Sequence, residues 1–182
     1  MQTIYPTSLT PEQYAEQEHH TQVPPPETCP NCLAAQTLEA LTYYQRYVTG
    51  MNRLVLLISV RRFECQRCEV TVSCLPEFAQ PYRAVNTPSI AEGFSGRPVA
   101  HWSELIRCYW RQFVRHLPLL LRQVGNAFGP VPLQPTGQGF WKQLIARCGD
   151  LGKATRQLMD QFHTCLFGTY RCHQRRQPLQ AA

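Results

Sequence analysis

Two cysteine hooks constrain this chain more than anything else in it. Cys29-Pro30-Asn31-Cys32 and Cys65-Gln66-Arg67-Cys68 are Cys-x-x-Cys pairs separated by thirty-two residues. Each pair sets two sulfurs on one side of a tight turn. Two such turns drawn together offer four sulfurs at the corners of a tetrahedron, which is the donor set Zn²⁺ takes. Four thiolates leave no open coordination position, so the metal would be structural and not catalytic. A segment of about 55 residues builds only a marginal core by itself, and a bound ion supplies what the core lacks. The competing chemistry is a redox dithiol. That normally places its pair at a helix N-terminus in a βαβ setting, and neither pair has that context. Nine cysteines in a chain with no secretory leader read as thiols, not as a disulfide framework.

The residues between the hooks read as strands. Tyr43-Tyr44-Gln45-Arg46-Tyr47-Val48 and Leu54 to Val60 are rich in strand formers, and Thr49-Gly50-Met51-Asn52 between them is a turn signal. After the second hook, Val70-Thr71-Val72-Ser73-Cys74 alternates apolar and polar, as a third strand would. Before the first hook, residues 1–26 look like a flexible tail with one short helix. Thr10 would cap it, Pro11 would be its first residue and Gln13 the reciprocal partner, and Pro24-Pro25-Pro26 would end it.

Beyond Pro81 the period changes. Pro81, Pro88, Gly93, Gly96 and Pro98 make residues 83–100 read as a linker. Trp102, Leu105, Ile106, Tyr109, Phe113 and Leu117 then recur at helical spacing, with Pro118 as an interruption. Further helices are expected over about 140–148 and 151–167. The expected fold class is therefore α+β: an N-terminal four-cysteine zinc ribbon of three antiparallel strands over 27–82, then a mostly α-helical region over 101–176. Residues 177–182 are expected to be a disordered end.

Charge is divided along the chain. Residues 1–100 carry 7 Lys/Arg against 9 Asp/Glu, and residues 101–182 carry 11 against 3. Of the basic residues, 16 are Arg and 2 are Lys. Arginine presents a planar fork that grips phosphate oxygens in pairs. A basic half built from arginine is a footprint for nucleic acid, and equally a plain solvated surface. Arg107, Arg111 and Arg115 fall four apart and share a stripe. Arg171, Arg175 and Arg176 make the end basic, and Arg61, Arg62 and Arg67 lie near the second hook, where they either reach phosphates or neutralise the thiolate cluster. No run of about 18 apolar residues occurs, so no membrane span is expected, and the expected location is cytoplasmic, or nucleoid-associated if DNA is bound.

The stretch Cys65 to Tyr82, with Leu75-Pro76 and Pro81-Tyr82 following the second cysteine pair, resembles the zinc-ribbon heads of bacterial transposases and of small transposase-like proteins. The similarity covers about residues 28–83. It implies a zinc-binding head ahead of a helical DNA-binding part, and a transposase or recombinase as a protein partner. Such heads often carry Gly just after the second cysteine of a hook, where this chain has Leu33 and Glu69. Ser89 to Gly93 is short and glycine-containing for the first helix of a helix-turn-helix. The C-terminal half holds only Glu104, Asp150 and Asp160 as carboxylates, too few and too scattered for two-metal phosphodiester chemistry. No Walker-type loop, Gly-x-Ser-x-Gly or His-Glu-x-x-His motif occurs, so neither an enzyme nor a small-molecule substrate is expected. The expected function is a non-catalytic DNA-binding accessory or regulatory protein. The alternative is a zinc-stabilised adaptor that docks on a larger DNA-processing enzyme. His163, Cys165, Cys172 and His173 are a weaker second metal candidate, and Cys74, Cys108 and Cys148 read as small buried residues.

Overall fold

The computed structural model describes residues 1–50, 54–99 and 101–170. It is a mixed α/β structure with one four-stranded sheet and several helices. The strands are β1 (Gln2–Tyr5), β2 (Leu38–Thr49), β3 (Val55–Cys65) and β4 (Thr71–Pro76), ordered β1-β4-β3-β2. The two pairs β2–β3 and β3–β4 are antiparallel; the strand formers around Gly50 foretold the first, and the alternation over Val70–Cys74 foretold the third strand. The fourth strand corrects the three-stranded expectation. β1 pairs with β4 in parallel, Ile4 opposite Leu75.

That strand comes from the segment expected to be a flexible tail. Ile4 is buried, and so is Tyr14 on helix α1 (Pro11–Glu16), which carries the predicted Thr10–Gln13 capping box. A single 3-10 turn, His19–Gln22, follows. The tail is ordered because two apolar side chains find core positions, a gain that polar flanking sequence conceals.

The sheet buries both faces, and its parity shows how. Along β3 the buried residues are Ile58 and Val60, then Phe63 and Cys65. Successive strand residues point to opposite faces, so β3 changes its buried face between Val60 and Phe63. On β2 a register shift between Ala40 and Thr42 inserts Leu41 as an extra residue. That bulge lets Leu38 and Val48, both at even positions, serve opposite faces. One core cluster gathers Ile4, Tyr14, Val48, Ile58, Val60 and Leu75; another gathers Val23, Leu38, Phe63, Val72, Cys74 and the cysteines of the hooks.

The helical part contains α2 (Thr87–Phe94), α3 (Ser103–Val124), α4 (Gly137–Cys148) and α5 (Leu151–Phe162). Helix α2 lies in the region expected to be a linker. Asn86 caps it through its side-chain oxygen and, by its amide nitrogen, donates to the Thr49 carbonyl at 2.9 Å, tying the helix to the end of β2. Helix α3 runs through Pro118 without stopping. Proline inside a helix costs about 3 kcal/mol, but Phe113, Leu117, Leu120 and Val124 are all buried on one face, and that packing on both sides of the ring outweighs the loss. Helix α5 ends earlier than its apolar pattern suggested. His163 turns left-handed, and Cys165 and Leu166 are buried from the loop that follows. Phe94 is the hub of this core, with Trp110, Trp141 and Phe113 ring centroids 4.8, 5.3 and 5.8 Å away.

The sheet and the helices share buried contacts. The Thr155 hydroxyl of α5 donates to Gln80 Oε1 at 2.9 Å, and Met159 joins the sheet cluster around Ile4. Gly152, in the first turn of α5, is pressed against the chain after β4. A Cβ there would meet Glu77 Cγ at 2.3 Å and the Glu77 carbonyl at 3.1 Å. Gly152→Ala is therefore expected to destabilise the fold by about 1–3 kcal/mol, through overpacking at this junction. Chemical denaturation checks it, and the midpoint should fall without a change in slope.

Candidate metal centre

The first hook sits in the loop before β2, and the second in the turn that joins β3 to β4. Strand pairing brings them together. Leu38, just after the first hook, is opposite Cys65, and the Gln66 amide donates to the Thr37 carbonyl at 2.8 Å.

The two hooks have one shape. Leu33 N–H donates to the Cys29 carbonyl at 2.9 Å, and Glu69 N–H donates to the Cys65 carbonyl at 2.8 Å. Cys29 N–H donates to the Ala34 carbonyl at 2.9 Å, and Cys65 N–H donates to the Val70 carbonyl at 3.1 Å. Leu33 and Glu69 have φ of 60° and 56°, the left-handed conformation in which glycine would be unstrained. The missing glycines thus leave the turn intact and add only local strain.

The four sulfurs converge. Cys29 Sγ lies 3.7 Å from Cys68 Sγ, and Cys32 Sγ lies 3.7 Å from Cys65 Sγ. All four lie within 4.8 Å of one another. A tetrahedral centre with metal–sulfur bonds of about 2.3 Å has sulfur–sulfur edges of about 3.8 Å, so the donor set fits an ion at its centre. Four cysteines placed this closely could hold a metal ion. Among the described residues no other such group of three or more His, Cys, Asp or Glu occurs.

The surroundings act in opposite directions on the two buried thiols. Burial pushes the Cys29 thiol up to about 12. Burial also pushes Cys65 upward, but the Thr37 hydroxyl and the N–H groups of Arg67 and Cys68 outweigh it and bring this thiol down to about 6. Thr37 Oγ1 is 3.2 Å from Cys65 Sγ. Thr37 was not among the residues expected to matter; the only signal for it was its place just before the strand that returns to Cys65. A hydroxyl donated to a ligating sulfur fixes the ligand's orientation. Thr37→Val, which keeps the shape and removes the donor, is expected to weaken metal affinity about tenfold, read by competition with a chromophoric chelator.

The arginines expected at the site separate into different places. Arg67 is exposed on the second hook. Arg61 is half-buried with its guanidinium 5.9 Å from the Phe63 ring centroid, and Arg62 is half-buried beside a cleft in the sheet. Arg107, Arg111 and Arg115 are all exposed on α3, on the side away from its buried face. Arg107 pairs with Glu104 at 2.7 Å; Arg111 and Arg115 make no hydrogen bond or ion pair with any described residue. Arg171, Arg175 and Arg176 lie outside the described residues, as do Cys172 and His173. Of the second metal candidate, Cys165 is buried and donates to the Gly168 carbonyl at 3.1 Å. Cys74 is buried as expected, whereas Cys108 and Cys148 are only partly so. Trp141 is buried, and Trp102 and Trp110 pack against the helical core. No helix among the described residues is long and apolar enough to cross a membrane.

No curated protein and no solved structure matches this chain. Residues 29–105 match a family described only as a domain of unknown function, DUF6431, and that stretch opens at Cys29, includes all four hook cysteines, and runs through β2, β3, β4 and α2 into the first turn of α3.

Proposed function

We propose that this protein is a non-catalytic DNA-binding accessory or regulatory protein whose sheet is held by a structural Zn²⁺ on Cys29, Cys32, Cys65 and Cys68. The choice of zinc rests on the donors. Four thiolates in a tetrahedron are the arrangement of structural zinc sites, and they leave no place for substrate or water. Neither hook stands at a helix N-terminus, which speaks against dithiol redox chemistry.

The observation that carries DNA binding is the stripe Arg107, Arg111, Arg115. Three guanidinium groups are exposed along one line of a 22-residue helix, and two of them have no partner among the described residues. Successive members are about 6 Å apart along the axis, from the helical rise. Arg171, Arg175 and Arg176 would add to the same positive half. The likeness of Cys65–Tyr82 to transposase zinc-ribbon heads supports a transposition-related setting. The test is a titration of duplex DNA over a range of salt. With about six phosphates neutralised, log affinity against log salt should have a slope of about −5, and a slope near zero would overturn the reading.

One observation favours the adaptor reading. Tyr43, Tyr47, Val55 and Leu57 are exposed on the outer part of the β2–β3 hairpin, and β2 is an edge strand. A transposase or recombinase docked there would leave α3 free. Co-purification of a stoichiometric protein partner, with no shift of DNA at low salt, would select this alternative.

A further inference from the structure

A cleft of about 490 Å³ opens on the sheet beside the segment Tyr82–Ala84, and the metal centre takes no part in it. Arg46, Arg62, Tyr44, Tyr47, Tyr82 and Ser73 line it. Its volume is in the range of small-ligand sites. Past the bulge, Arg46 is opposite Ile58, Tyr44 opposite Val60, and Thr42 opposite Arg62. Arg46, Tyr44 and Arg62 therefore share one face of the sheet, with the tyrosine between the two arginines.

The two guanidinium groups differ in a useful way. Arg46 is anchored, its Nη2 donating to the carbonyls of Gln80 at 3.0 Å and Arg83 at 2.6 Å. It has no carboxylate partner among the described residues. Burying most of a cation with only carbonyl dipoles and the Tyr44 hydroxyl beside it is costly, and an anion in the adjoining space would offset that cost. Arg62 makes no hydrogen bond or ion pair with any described residue and is free to close on such an anion. Tyr82 is half exposed beside Tyr170, with ring centroids 4.4 Å apart, which leaves aromatic surface for a flat partner. A phosphate matches the arginine forks, and a base matches an aromatic ring; the pairing of both within one groove is the way single strands are held.

We propose that this cleft binds a nucleotide unit, with phosphate at Arg46 and Arg62 and the base against the tyrosines, and that its natural source is a single-stranded nucleic acid. The site is separate from the α3 stripe. It shares with the function proposed above only the premise of a phosphate-bearing partner, and it can fail while duplex binding stands.

The test uses the full chain in its metal-bound form and fluorescence anisotropy with labelled oligo(dT), with unlabelled thymidine monophosphate and inorganic phosphate as competitors. Arg62→Ala is expected to weaken oligo(dT) binding at least tenfold, Arg62→Lys to recover part of it, and Tyr82→Ala to weaken it by a similar factor. The triple variant Arg107→Ala, Arg111→Ala, Arg115→Ala should retain oligo(dT) binding while losing duplex. Competition by the monophosphate as strong, per nucleotide, as by the oligomer would make a free nucleotide the ligand, with the same chemistry in the cleft. Competition by phosphate as strong as by the monophosphate would overturn the role of the base. Unchanged oligo(dT) affinity in Arg62→Ala and Tyr82→Ala, with folding confirmed by circular dichroism, would overturn the site altogether.

Discussion

Cys65→Ser is expected to cost more stability than any other single substitution in the chain, and chelation of the wild type should reproduce the effect. A structural zinc site contributes roughly 10–16 kcal/mol of apparent binding energy at neutral pH, as large as the whole stability of an ordinary domain. Little else holds this end of the sheet. The cluster around the hooks is Val23, Leu38, Phe63, Val72 and Cys74, with the ligand cysteines themselves as its members. Without the ion, four sulfurs, two of them on buried cysteines, lie within 4.8 Å of one another and cannot all be charged, so protons must take the cation's place. Because burial holds the Cys29 thiol up at about 12, it is protonated in the metal-free chain at neutral pH. Metal uptake then releases at least that proton, and affinity must fall as pH falls, by at least about tenfold per unit. Elemental analysis of protein purified under reducing conditions should return one zinc per chain, and chelator competition at pH 6, 7 and 8 should give the pH slope. Sub-stoichiometric metal, or an affinity indifferent to pH, would refute the assignment.

The four-cysteine cluster was legible because its chemistry is local. A Cys-x-x-Cys hook announces itself in four residues, and two strand-forming runs between hooks imply the hairpin that joins them. The capping box at Thr10–Gln13 was legible for the same reason. What escaped depended on distant partners. Nothing near Ile4 says that its strand will pair with Leu75, because the partner is some seventy residues away. Helix α2 was hidden by Pro88 and Gly93, yet proline sits harmlessly in the first turn, and Gly93 is there because a Cβ would meet Ile106 Cγ2 at 2.5 Å. Pro118 misled in the opposite direction, since local propensity said stop while the buried face of α3 said continue.

The cleft shows the same limit on the functional side. Arg62 could be singled out from the sequence as a cation near the hooks, but Arg46 and Tyr82 could not be placed beside it. Their proximity depends on the register set by the bulge at Leu41 and on the path of the chain after β4. Arg46 caps two carbonyls of the 80–83 segment, opposite Ile58 and seven residues along β3 from Cys65.

Replacing Arg107, Arg111 and Arg115 together by alanine is expected to lower duplex affinity about 100-fold at low salt, at roughly 1 kcal/mol for each guanidinium–phosphate hydrogen bond removed. The salt slope should become shallower by about 3, because each neutralised phosphate contributes about 0.9. The fold should survive: all three side chains are exposed, and alanine favours the helix. The members are not equivalent. Arg107 is held by Glu104 at 2.7 Å, so DNA must compete with that carboxylate, whereas Arg111 and Arg115 have no such competitor. An exposed pair of this kind is worth under about 1 kcal/mol, so Glu104→Ala should tighten binding a few-fold while the triple variant weakens it. Opposite signs from neighbouring residues on one helix face are hard to obtain from a general loss of structure. A triple variant that binds duplex as well as the wild type, with the same salt slope, would move the interface off α3 and leave the arginine stripe as a solvated surface.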